Sequence, residues 1–374
     1  MRVLMTLANE FTHDARVYNE AQSLLKKGHE VTVLAWDRDK QQPIADEKNG
    51  IKIERVTNTE LMDIIPYDLF RLPLWYSKGF HRASKLHKQR PYDVVHCHNL
   101  DTLPIGVKIK KTFSIPLIYD AHEIWGYMIE KDLHKIGVEY YLHKEKRLLH
   151  FVDQIITVAE PHKEYFKKLG REATIVSNCK PLRSKTYEPP TNNIFTLLYI
   201  GSLNKARFLQ ETIEVCRDIK HMQFIIGGFG VLEASISSLA KQAPLHNIIF
   251  KGKIPLEQVI EHTCNTDAIL CMLDPKNKNN QVGPPNKLFE AMVCGRPVIA
   301  TKGTYSGSIV KRVGMGCTID FSKESLKKAI LDLRDHPEKR ETMGKKALHA
   351  ALSGYNWKEQ EHQLHQAYQK IIKT

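Results

Sequence analysis

The segment between residues 283 and 301 carries residue types that suit the binding of a phosphorylated ligand. A proline near its start, a glycine near its end and apolar residues at one-turn spacing predict a helix over Asn286–Cys294. The loop over residues 281–285 should then deliver free backbone N–H groups to the start of that helix, where an anion binds readily. Glu290 lies one turn further on and is placed to accept hydrogen bonds from vicinal hydroxyls such as those of a ribose.

This segment resembles the donor-binding helix of the family-4 retaining glycosyltransferases, which have the two-lobed GT-B fold. The resemblance implies a nucleoside-diphosphate sugar with its diphosphate at the helix start and its ribose on Glu290. An ordinary amphipathic helix is the alternative. The family usually has a second glutamate eight positions before Glu290, against the donor sugar, and this chain has Val282 there. The pattern therefore resembles a branch without the first glutamate, in which Asn279, Asn280 and Gln281 are the polar candidates for the sugar hydroxyls.

A second segment, Gly201–Arg207, follows a predicted strand and resembles the family element whose two basic residues hold the diphosphate. In this alignment the family's arginine falls on Ser202, its lysine on Arg207 and its glycine on Phe208. Only one cation is in register, and Lys205 is a candidate substitute for the other. The alternative is a pair of solvated cations at the start of a helix, which we predict over Lys205–Ile219.

Two weaker segments complete the donor side. The strand that ends in Gly227, Gly228 and Gly230 resembles the glycine turn of the family, although many α/β turns look alike. Residues 249–255, with Lys253, resemble the segment whose backbone contacts the base. The donor-side residues implied in this way are Gly201, Ser202, Lys205, Arg207, Gly228, Lys253, Asn280, Gln281, Val282, Gly283, Pro285, Asn286, Lys287, Leu288 and Glu290.

The segment Tyr119–Glu123 ends a strand whose carboxyl end should face the ligand. The family places a histidine in this loop against the donor sugar, and His122 matches it. The resemblance implies that His122 positions the sugar and the acceptor, through its side chain or its backbone carbonyl. Asp120 and Glu123 are the second candidates for a catalytic role. A polar cap at a strand–loop junction is the alternative for all three.

The residues after the first predicted strand belong to the acceptor side that the resemblance implies. Glu10, Asp14 and Arg16 lie there, and the last two resemble the D-x-R-V branch of the family. Arg16 is either a phosphate contact or part of an internal ion pair beside a capped helix start. His98 matches a family position that lines the acceptor cleft.

The tripeptide His96, Cys97 and His98 suggests a metal site. On a strand, however, the two histidines would share one face and Cys97 would point away. No third ligand is evident in the sequence, and GT-B enzymes of the resembling kind do not require a metal. We therefore predict no metal and no other cofactor.

The composition is typical of a globular protein with more than one domain. The chain has 374 residues, 42% hydrophobic content and a formal net charge of +13 that is spread over both halves. This spread argues against a basic tail for nucleic acid and suits anionic ligands or an anionic membrane surface. Seven cysteines without a C-x-x-C pair predict reduced thiols, and no signal peptide or membrane-spanning run is evident. We therefore expect a cytoplasmic protein.

Short apolar strands alternate with amphipathic helices, which is typical of doubly wound parallel α/β sheets. We predict an N-terminal Rossmann-like acceptor domain over residues 1–180, a proline-rich linker over 181–193 and a C-terminal Rossmann-like nucleotide-sugar domain over 194–352. The resemblance implies that the last helix, within residues 353–374, crosses back to the first domain. It also implies that the two domains face each other across a cleft, as in the GT-B fold.

Residues 64–78 are dense in aromatic and apolar residues and lead into four basic residues, Arg82, Lys85, Lys88 and Arg90. Such a segment is able to touch a membrane surface or a lipid-linked acceptor. The alternative is a helix packed on the first sheet with its cations in solvent, and the pattern slightly favours this alternative.

The resemblance as a whole implies a retaining glycosyltransferase that moves a hexose or N-acetylhexosamine from a nucleoside diphosphate, preferably UDP, to a glycan or lipid-linked acceptor. Surface polysaccharide or glycoconjugate synthesis is the expected context, with peripheral contact to the inner face of an anionic membrane left open. Two alternatives also stay open: a nucleotide-sugar epimerase on the same fold, and a catalytically silent nucleotide-sugar-binding protein, which Val282 and Ser202 would suit. Nucleic-acid binding is not predicted, because no stacking platform accompanies the charge.

Overall fold

The computed structural model describes residues 1–12, 14–130, 133–241 and 247–372. The chain divides into two compact units, Met1–Ser177 with the chain from Glu361 onward, and Asn178–Gln360. Residues 178–193, which we predicted to be the end of the first domain and a linker, thus belong to the second unit. The reason is packing: Cys179 lies in the core of the second unit, and the Glu188 carbonyl accepts a hydrogen bond from Arg296 at 2.8 Å.

The first unit is built on one sheet whose strands are mostly buried apolar runs, as expected for a parallel sheet covered on both faces. Its strands are β1 (Arg2–Leu7), β2 (Glu30–Asp37), β3 (Ala45–Lys48), β4 (Ile51–Thr57), β5 (Val94–His98), β6 (Leu117–Ala121), β7 (Gln154–Thr157) and β8 (Ala173–Ile175). Their order in the sheet is β3-β4-β2-β1-β5-β6-β7-β8. Neighbouring strands are parallel except for β3 and β4.

The helices of the first unit connect these strands. They are α1 (Ala15–Lys26), α2 (Glu60–Ile64), α3 (Asp68–Gln89), α4 (Leu103–Phe113), α5 (Trp125–Met128), α6 (Lys135–Leu148) and α7 (Glu160–Lys168). The apolar spacing of the sequence predicts a helix over Lys131–His150, which corresponds to α6, and the first two residues of that range lie outside the described part of the chain. Strand β3 and helices α2 and α5 were not predicted, because elements of four or five residues are too short to show a hydrophobic period.

Helix α3 has one face in the core and an exposed apolar start. Trp75 is fully buried and stacks on Trp36 with ring centroids 5.3 Å apart. Helix α3 therefore packs on the first sheet, which is the alternative that the sequence pattern slightly favoured. Ile64, Tyr67 and Phe70, at and just before its start, are nevertheless 77%, 66% and 64% exposed.

The second unit is built on a smaller parallel sheet. Its strands are β9 (Phe195–Ile200), β10 (Met222–Gly227), β11 (Ile248–Phe250), β12 (Ala268–Cys271), β13 (Val298–Thr301) and β14 (Gly316–Ile319). Within the described residues they lie in the order β11-β10-β9-β12-β13-β14, with every neighbouring pair parallel. The predicted class, α/β with two doubly wound Rossmann-like domains, is confirmed.

The helices of the second unit are α8 (Leu209–Arg217), α9 (Glu233–Lys241), α10 (Leu256–Cys264), α11 (Lys278–Val282), α12 (Asn286–Val293), α13 (Tyr305–Val313), α14 (Lys323–Asp335) and α15 (Pro337–Ser353). Helix α16 (Trp357–Ile372) begins in this unit and continues in the first, where the Tyr368 hydroxyl lies 2.8 Å from His96 Nδ1. Helices α11 and α13 were not predicted, since their polar and glycine residues hide the helical period.

The helix predicted over Lys205–Ile219 is wrong in its first turn. Lys205–Arg207 form a short 3₁₀ turn, and α8 starts only after Phe208. Phe208 has φ 56° and ψ 31°, a left-handed conformation that interrupts a right-handed helix. The family's glycine falls on this position, so this chain keeps the backbone shape with a phenylalanine.

No helix in the described ranges is both long and apolar enough to cross a bilayer. All seven cysteines are free, and six of them are buried.

Candidate functional site

Two loops at the carboxyl ends of β9 and β10 are held against each other by backbone hydrogen bonds. The Gly201 N–H donates to the Gly227 carbonyl at 3.0 Å, and the Leu203 N–H donates to the Phe229 carbonyl at 2.9 Å. A Cβ on Gly228 would lie 1.8 Å from the Gly201 carbonyl oxygen, so only glycine fits this approach. The turn that follows β9 thus has a fixed backbone path, which suits the close binding of a ligand.

The turn after β9 carries the predicted diphosphate cations. Asn204 caps its 3₁₀ turn by accepting from the Ala206 N–H at 3.1 Å. Ser202 and Lys205 are exposed, whereas Arg207 is half-buried and its Nε has no hydrogen-bond partner among the described residues. A buried guanidinium N–H without a partner is a ready donor to an anion.

The predicted supply of free N–H groups from residues 281–285 is wrong. Residues 278–282 form α11, in which the Gln281 N–H donates to the Asn277 carbonyl and the capping Gly283 N–H donates to the Asn279 carbonyl. Two prolines follow and have no N–H to offer. The first amides of α12, those of Asn286 and Lys287, are therefore the ones that remain for an anion.

The side chains of Asn280 and Gln281 bind their own loop. The Asn280 amide donates to the Asp274 carbonyl at 2.9 Å, and the Gln281 amide donates to the Pro275 carbonyl at 2.8 Å. Val282, in the place of the family's first glutamate, is half-buried. In the described structure the side-chain amides of Asn280 and Gln281 thus stabilise their own loop through these hydrogen bonds.

Helix α12 is buried on every side after its first residue, rather than on one face as its pattern predicted. Leu288 is a core residue, so its side chain cannot reach a ligand. Glu290 is 7% exposed, and one of its carboxylate oxygens lies 3.4 Å from Lys180 Nζ. The ribose carboxylate predicted from the sequence therefore has a lysine partner that sequence spacing did not reveal.

The remaining donor candidates differ in exposure. Asn286 is exposed at the start of α12, and Lys253 is exposed with its ammonium 5.5 Å from the centroid of the Phe229 ring. Lys287 is only 8% exposed, although a lysine is seldom buried. Lys287 Nζ lies 3.5 Å from the point that a Cβ on Gly201 would occupy. The geometry thus joins the turn after β9, the glycine turn after β10 and the start of α12 at one edge of the second sheet.

In the first unit, Arg16 forms a buried ion pair with Asp120. Its Nε and Nη2 donate to the two carboxylate oxygens of Asp120 at 2.9 and 2.7 Å, and Nη2 also lies 3.1 Å from Glu20. Asp14 caps α1 by accepting from the Val17 N–H at 3.1 Å. Of the two alternatives for Arg16, the structure shows the internal ion pair beside a capped helix start.

His122 is fixed by partners on both sides of its ring. Its Nε2 lies 2.7 Å from Asp120 Oδ2, and its Nδ1 lies 3.4 Å from the Asn99 amide nitrogen. The His122 N–H donates to Asn99 Oδ1 at 3.1 Å. Because a carboxylate can only accept, Nε2 donates the hydrogen bond to Asp120. With both ring nitrogens engaged, the ring has a fixed orientation.

The other candidates of the first unit surround this histidine. His98 is fully buried, with Nδ1 3.1 Å from Asp120 and 3.3 Å from His122 Nε2. His98 therefore lies in the interior next to His122, and it does not line a surface as the predicted acceptor-side residue would. Glu123 is half-buried. The Glu10 carboxylate accepts from the Thr12 hydroxyl at 2.7 Å.

The strand geometry predicted for His96 and His98 is confirmed, with ring centroids 4.4 Å apart, but further potential ligands exist. Glu20 and Asp120 bring ligand atoms to within 4.8 Å of those of the two histidines. Burial raises the pKa of Glu20 well above its ordinary value, although the positive charge of Arg16 opposes this shift. Burial lowers the pKa of His96 well below its ordinary value. Burial opposes ionisation of Asp120, but Arg16 and His122 hold its pKa well below the ordinary value. Arg16 thus already supplies the positive charge, and this set suits a metal poorly.

Three residues of these arrangements were missed from the sequence. Glu20 lies one helical turn after Arg16, a spacing that could have paired them. Asn99 follows β5 with φ 63°, a left-handed conformation that asparagine adopts more readily than most residues, but its contact with His122 has no sequence signal. Lys180 is far from Glu290 along the chain, so only folding brings them together.

Comparison with known families covers most of the chain. Residues 15–179 match the profile described as Glycosyltransferase Family 4, and residues 183–350 match that of Glycosyl transferases group 1. An uncharacterised glycosyltransferase of Methanocaldococcus jannaschii is 22% identical over 186 residues. That alignment covers 48% of this chain and 46% of the relative, so the chain matches less than half of the relative's length.

Several solved structures share the fold over nearly the whole chain. Sucrose-phosphate synthase from Thermosynechococcus elongatus has a TM-score of 0.83 at 17% identity, with 100% of both chains covered. Anabaena HepE in complex with UDP-glucose has a TM-score of 0.75 at 14% identity, with 99% of both chains covered. WaaG, a glycosyltransferase involved in lipopolysaccharide biosynthesis, has a TM-score of 0.70 at 15% identity, with 97% of this chain and 98% of WaaG covered.

Proposed function

The chain belongs to the family-4-type glycosyltransferases with the GT-B fold, and from this premise we propose that it is a retaining transferase that uses a UDP-sugar. The observation that carries the donor assignment is the meeting of three features in the second unit. These are the turn after β9, the glycine turn after β10 and the start of α12, whose Lys287 Nζ lies beside Gly201 and which carries Glu290 one turn further on. UDP is preferred because HepE, a structure of similar fold, was solved with UDP-glucose.

The proposed chemistry needs alignment and charge stabilisation more than a protein nucleophile. The acceptor hydroxyl attacks the anomeric carbon on the face that the diphosphate leaves, through an oxocarbenium-like ion pair, and the departing diphosphate takes the hydroxyl proton. Cations and backbone N–H groups of the second unit stabilise the leaving charge. Asp120 and Asn99 hold His122 in one orientation, which supports its role in positioning the sugar and the acceptor.

A thermal-shift screen of UDP-, GDP- and ADP-sugars tests the donor assignment. One nucleotide class should raise the melting temperature in a concentration-dependent way, since a ligand that binds only the native state stabilises it. The absence of any shift, together with no calorimetric binding, would remove the proposal.

Substitution of Arg207 or Glu290 tests the residues of that site. Arg207→Ala and Glu290→Gln should each weaken nucleotide-diphosphate binding about tenfold or more, because each removes a charged hydrogen-bond partner. Lys327→Met and Glu324→Ala, at exposed positions of α14, are the matched controls and should bind as the wild type does. Unchanged affinity in both site variants would contradict the assignment.

Substitution of His122 separates transfer from donor binding. His122→Ala should lose transfer, while calorimetric affinity for the nucleotide stays close to that of the wild type. Wild-type turnover by this variant would exclude His122 from the mechanism.

Two experiments address the alternatives. A nucleotide-sugar epimerase would convert the donor in the absence of an acceptor, which proton NMR detects, whereas a silent binding protein would show no conversion with any acceptor. We also propose that transfer needs no metal, because Arg16 already compensates the buried carboxylates. Activity should therefore survive dialysis against EDTA.

The acceptor is proposed to be a glycan or a lipid-linked glycan in surface polysaccharide or glycoconjugate synthesis. A peripheral membrane contact is supported by the exposure of Ile64, Tyr67 and Phe70. The nearby cations Lys40 and Arg71 pair with Asp63 and Asp68, so this contact should depend on apolar insertion more than on anionic lipid. Phe70→Asp should reduce co-sedimentation with neutral and with anionic vesicles alike, and an unchanged bound fraction would contradict the proposal.

A further inference from the structure

Lys287 is a buried lysine without a counter-ion. Its side chain is 8% exposed, and Nζ lies 3.3 Å from the centroid of the Tyr199 ring. Among the described residues it has neither a hydrogen bond nor an ion pair. An ammonium in such a place is costly to keep charged, because a single aromatic face compensates only part of the lost hydration. Its position therefore calls for an anion that is not part of the chain.

The ammonium lies beside the turn after β9. Nζ is 3.5 Å from the point that a Cβ on Gly201 would occupy. The next residue, Ser202, is exposed and carries no charge. Lys287 is also the second residue of α12, so its backbone N–H and that of Asn286 belong to the same helix end. A side-chain cation and two backbone donors thus come from one short segment.

The charged and titratable groups around Lys287 do not neutralise it. Arg207 approaches from the 3₁₀ turn, Cys271 from β12 and Glu290 from the same helix, and Tyr199 of β9 lies under the ammonium. Glu290 already lies against Lys180. Burial is the largest cause that lowers the pKa of Lys287; Cys271 and Glu290 oppose it, Arg207 adds to it, and together they bring the pKa to about 7. Near neutral pH the free protein therefore holds Lys287 partly as a neutral amine.

We propose that Lys287 binds the diphosphate of the donor through its side chain and takes up a proton as the diphosphate arrives. This inference rests on the proposed function, because it assigns a ligand to the same site. The negative charge of the phosphates favours the ammonium form, and the new ion pair replaces the hydration that burial removed. Lys287 supplies the charge that Ser202 does not.

Calorimetry on Lys287→Met tests the contact. The probes are UDP-glucose, or the nucleotide-sugar selected by the thermal-shift screen, and the matching nucleoside without phosphates. The variant should bind the nucleotide-sugar about 10- to 100-fold more weakly and the nucleoside as the wild type does. Lys327→Met removes an exposed charge from the same unit and should leave both affinities unchanged. Wild-type affinity of Lys287→Met for the nucleotide-sugar would overturn the proposal.

Proton uptake is a second test that needs no variant. Binding enthalpies are measured in HEPES and in Tris at pH 8, and in MES and in Bis-Tris at pH 6; within each pair the ionisation enthalpies differ. A nucleotide-sugar does not itself titrate in this range. A difference in binding enthalpy between the two buffers therefore reports the protons that the protein takes up. The wild type should take up a large fraction of one proton at pH 8 and almost none at pH 6. Equal enthalpies in both buffers at pH 8 would overturn the proposal.

The two proposals fail in different ways. If no nucleotide-sugar binds to the wild type, the proposed function itself is wrong. If a nucleotide-sugar binds to the wild type without proton uptake, and Lys287→Met binds it with wild-type affinity, only the assignment of Lys287 is wrong. Circular dichroism and thermal unfolding check that the variant folds, and its stability should be preserved because an unpaired buried charge is removed.

Discussion

At the scale of single residues, residue type indicated which side chains could do chemistry but not what they would face. Arg16 was predicted to be either a phosphate contact or part of an internal ion pair, and His98 to line the acceptor cleft; both are buried around Asp120. Glu290 was chosen for its carboxylate, and the fold added Lys180 beside it. A polar side chain is costly to bury without a partner, so partners follow from tertiary contacts that a sequence does not display.

His162 gives a prediction about pH at this scale. Its side chain is fully buried, and neither ring nitrogen has a hydrogen-bond partner among the described residues. Burial, together with Arg16 and His122, lowers the pKa of His162 to about 4. A histidine whose pKa is depressed in the folded state adds stability above pH 6.5, and this stability is lost as the pH falls towards 4.

The expected loss is about 3 kcal/mol, from about 1.4 kcal/mol for each pH unit of the shift. His162→Leu cannot take up this proton and should therefore lose less free energy of unfolding between pH 7 and pH 4.5 than the wild type. Urea denaturation at both pH values measures the difference. His150→Leu, at an exposed position, is the control and should follow the wild-type curve. Parallel wild-type and His162→Leu curves would show that His162 is not the acid-sensitive group.

At the scale of elements, the hydrophobic period predicted most strands and the long helices, and it failed where a turn interrupts the pattern. The left-handed Phe208 splits a predicted helix into a 3₁₀ turn and α8, although phenylalanine gives no sign of such a conformation. The polar run 278–282 forms α11 in place of a loop with free amides. Both errors lie beside the candidate donor site, where the backbone follows local hydrogen bonds more than burial.

Two glycines of this region give a matched pair of variants. Gly228 has φ 138°, and an added Cβ would lie 1.8 Å from the Gly201 carbonyl oxygen. Gly252 has φ 65° with open space around its missing Cβ. Gly252→Ala should cost only the left-handed strain, about 1 kcal/mol.

Gly228→Ala should cost more than about 2 kcal/mol and weaken nucleotide binding, because the turn after β9 must move to avoid backbone contact. Thermal unfolding and calorimetry of the two variants give the comparison. Equal destabilisation by both would mean that the approach of the two loops is not what requires glycine at position 228.

At the scale of the whole molecule, the chain consists of two α/β units with separate sheets and separate cores. The chain returns to the first unit from Glu361 onward, so the units are not simply consecutive in sequence. The net charge of +13 is distributed over both halves of the chain, and this distribution suits the binding of anionic ligands.

Hydrogen exchange tests the donor assignment at this scale. A bound nucleotide-sugar should slow exchange in three separate segments of the second unit, at residues 201–207, 227–230 and 286–290, because its phosphates and ribose occupy the N–H groups there or restrict their opening. The free nucleoside should protect residues 201–207 and 286–287 much less. Saturating nucleotide-sugar without slowed exchange in these segments would place the donor elsewhere.

The sequence by itself determined the class of fold, the family resemblance and the helix that carries Glu290, because these depend on local periodicity and on residue types in a fixed order. Tertiary structure alone decided which charges are paired. It buried Arg16 against Asp120, fixed the ring of His122 between Asp120 and Asn99, placed Lys180 on Glu290 and left Lys287 without a counter-ion. Pairing depends on distances of a few ångströms between residues that are far apart along the chain, and a sequence has no period that encodes such distances.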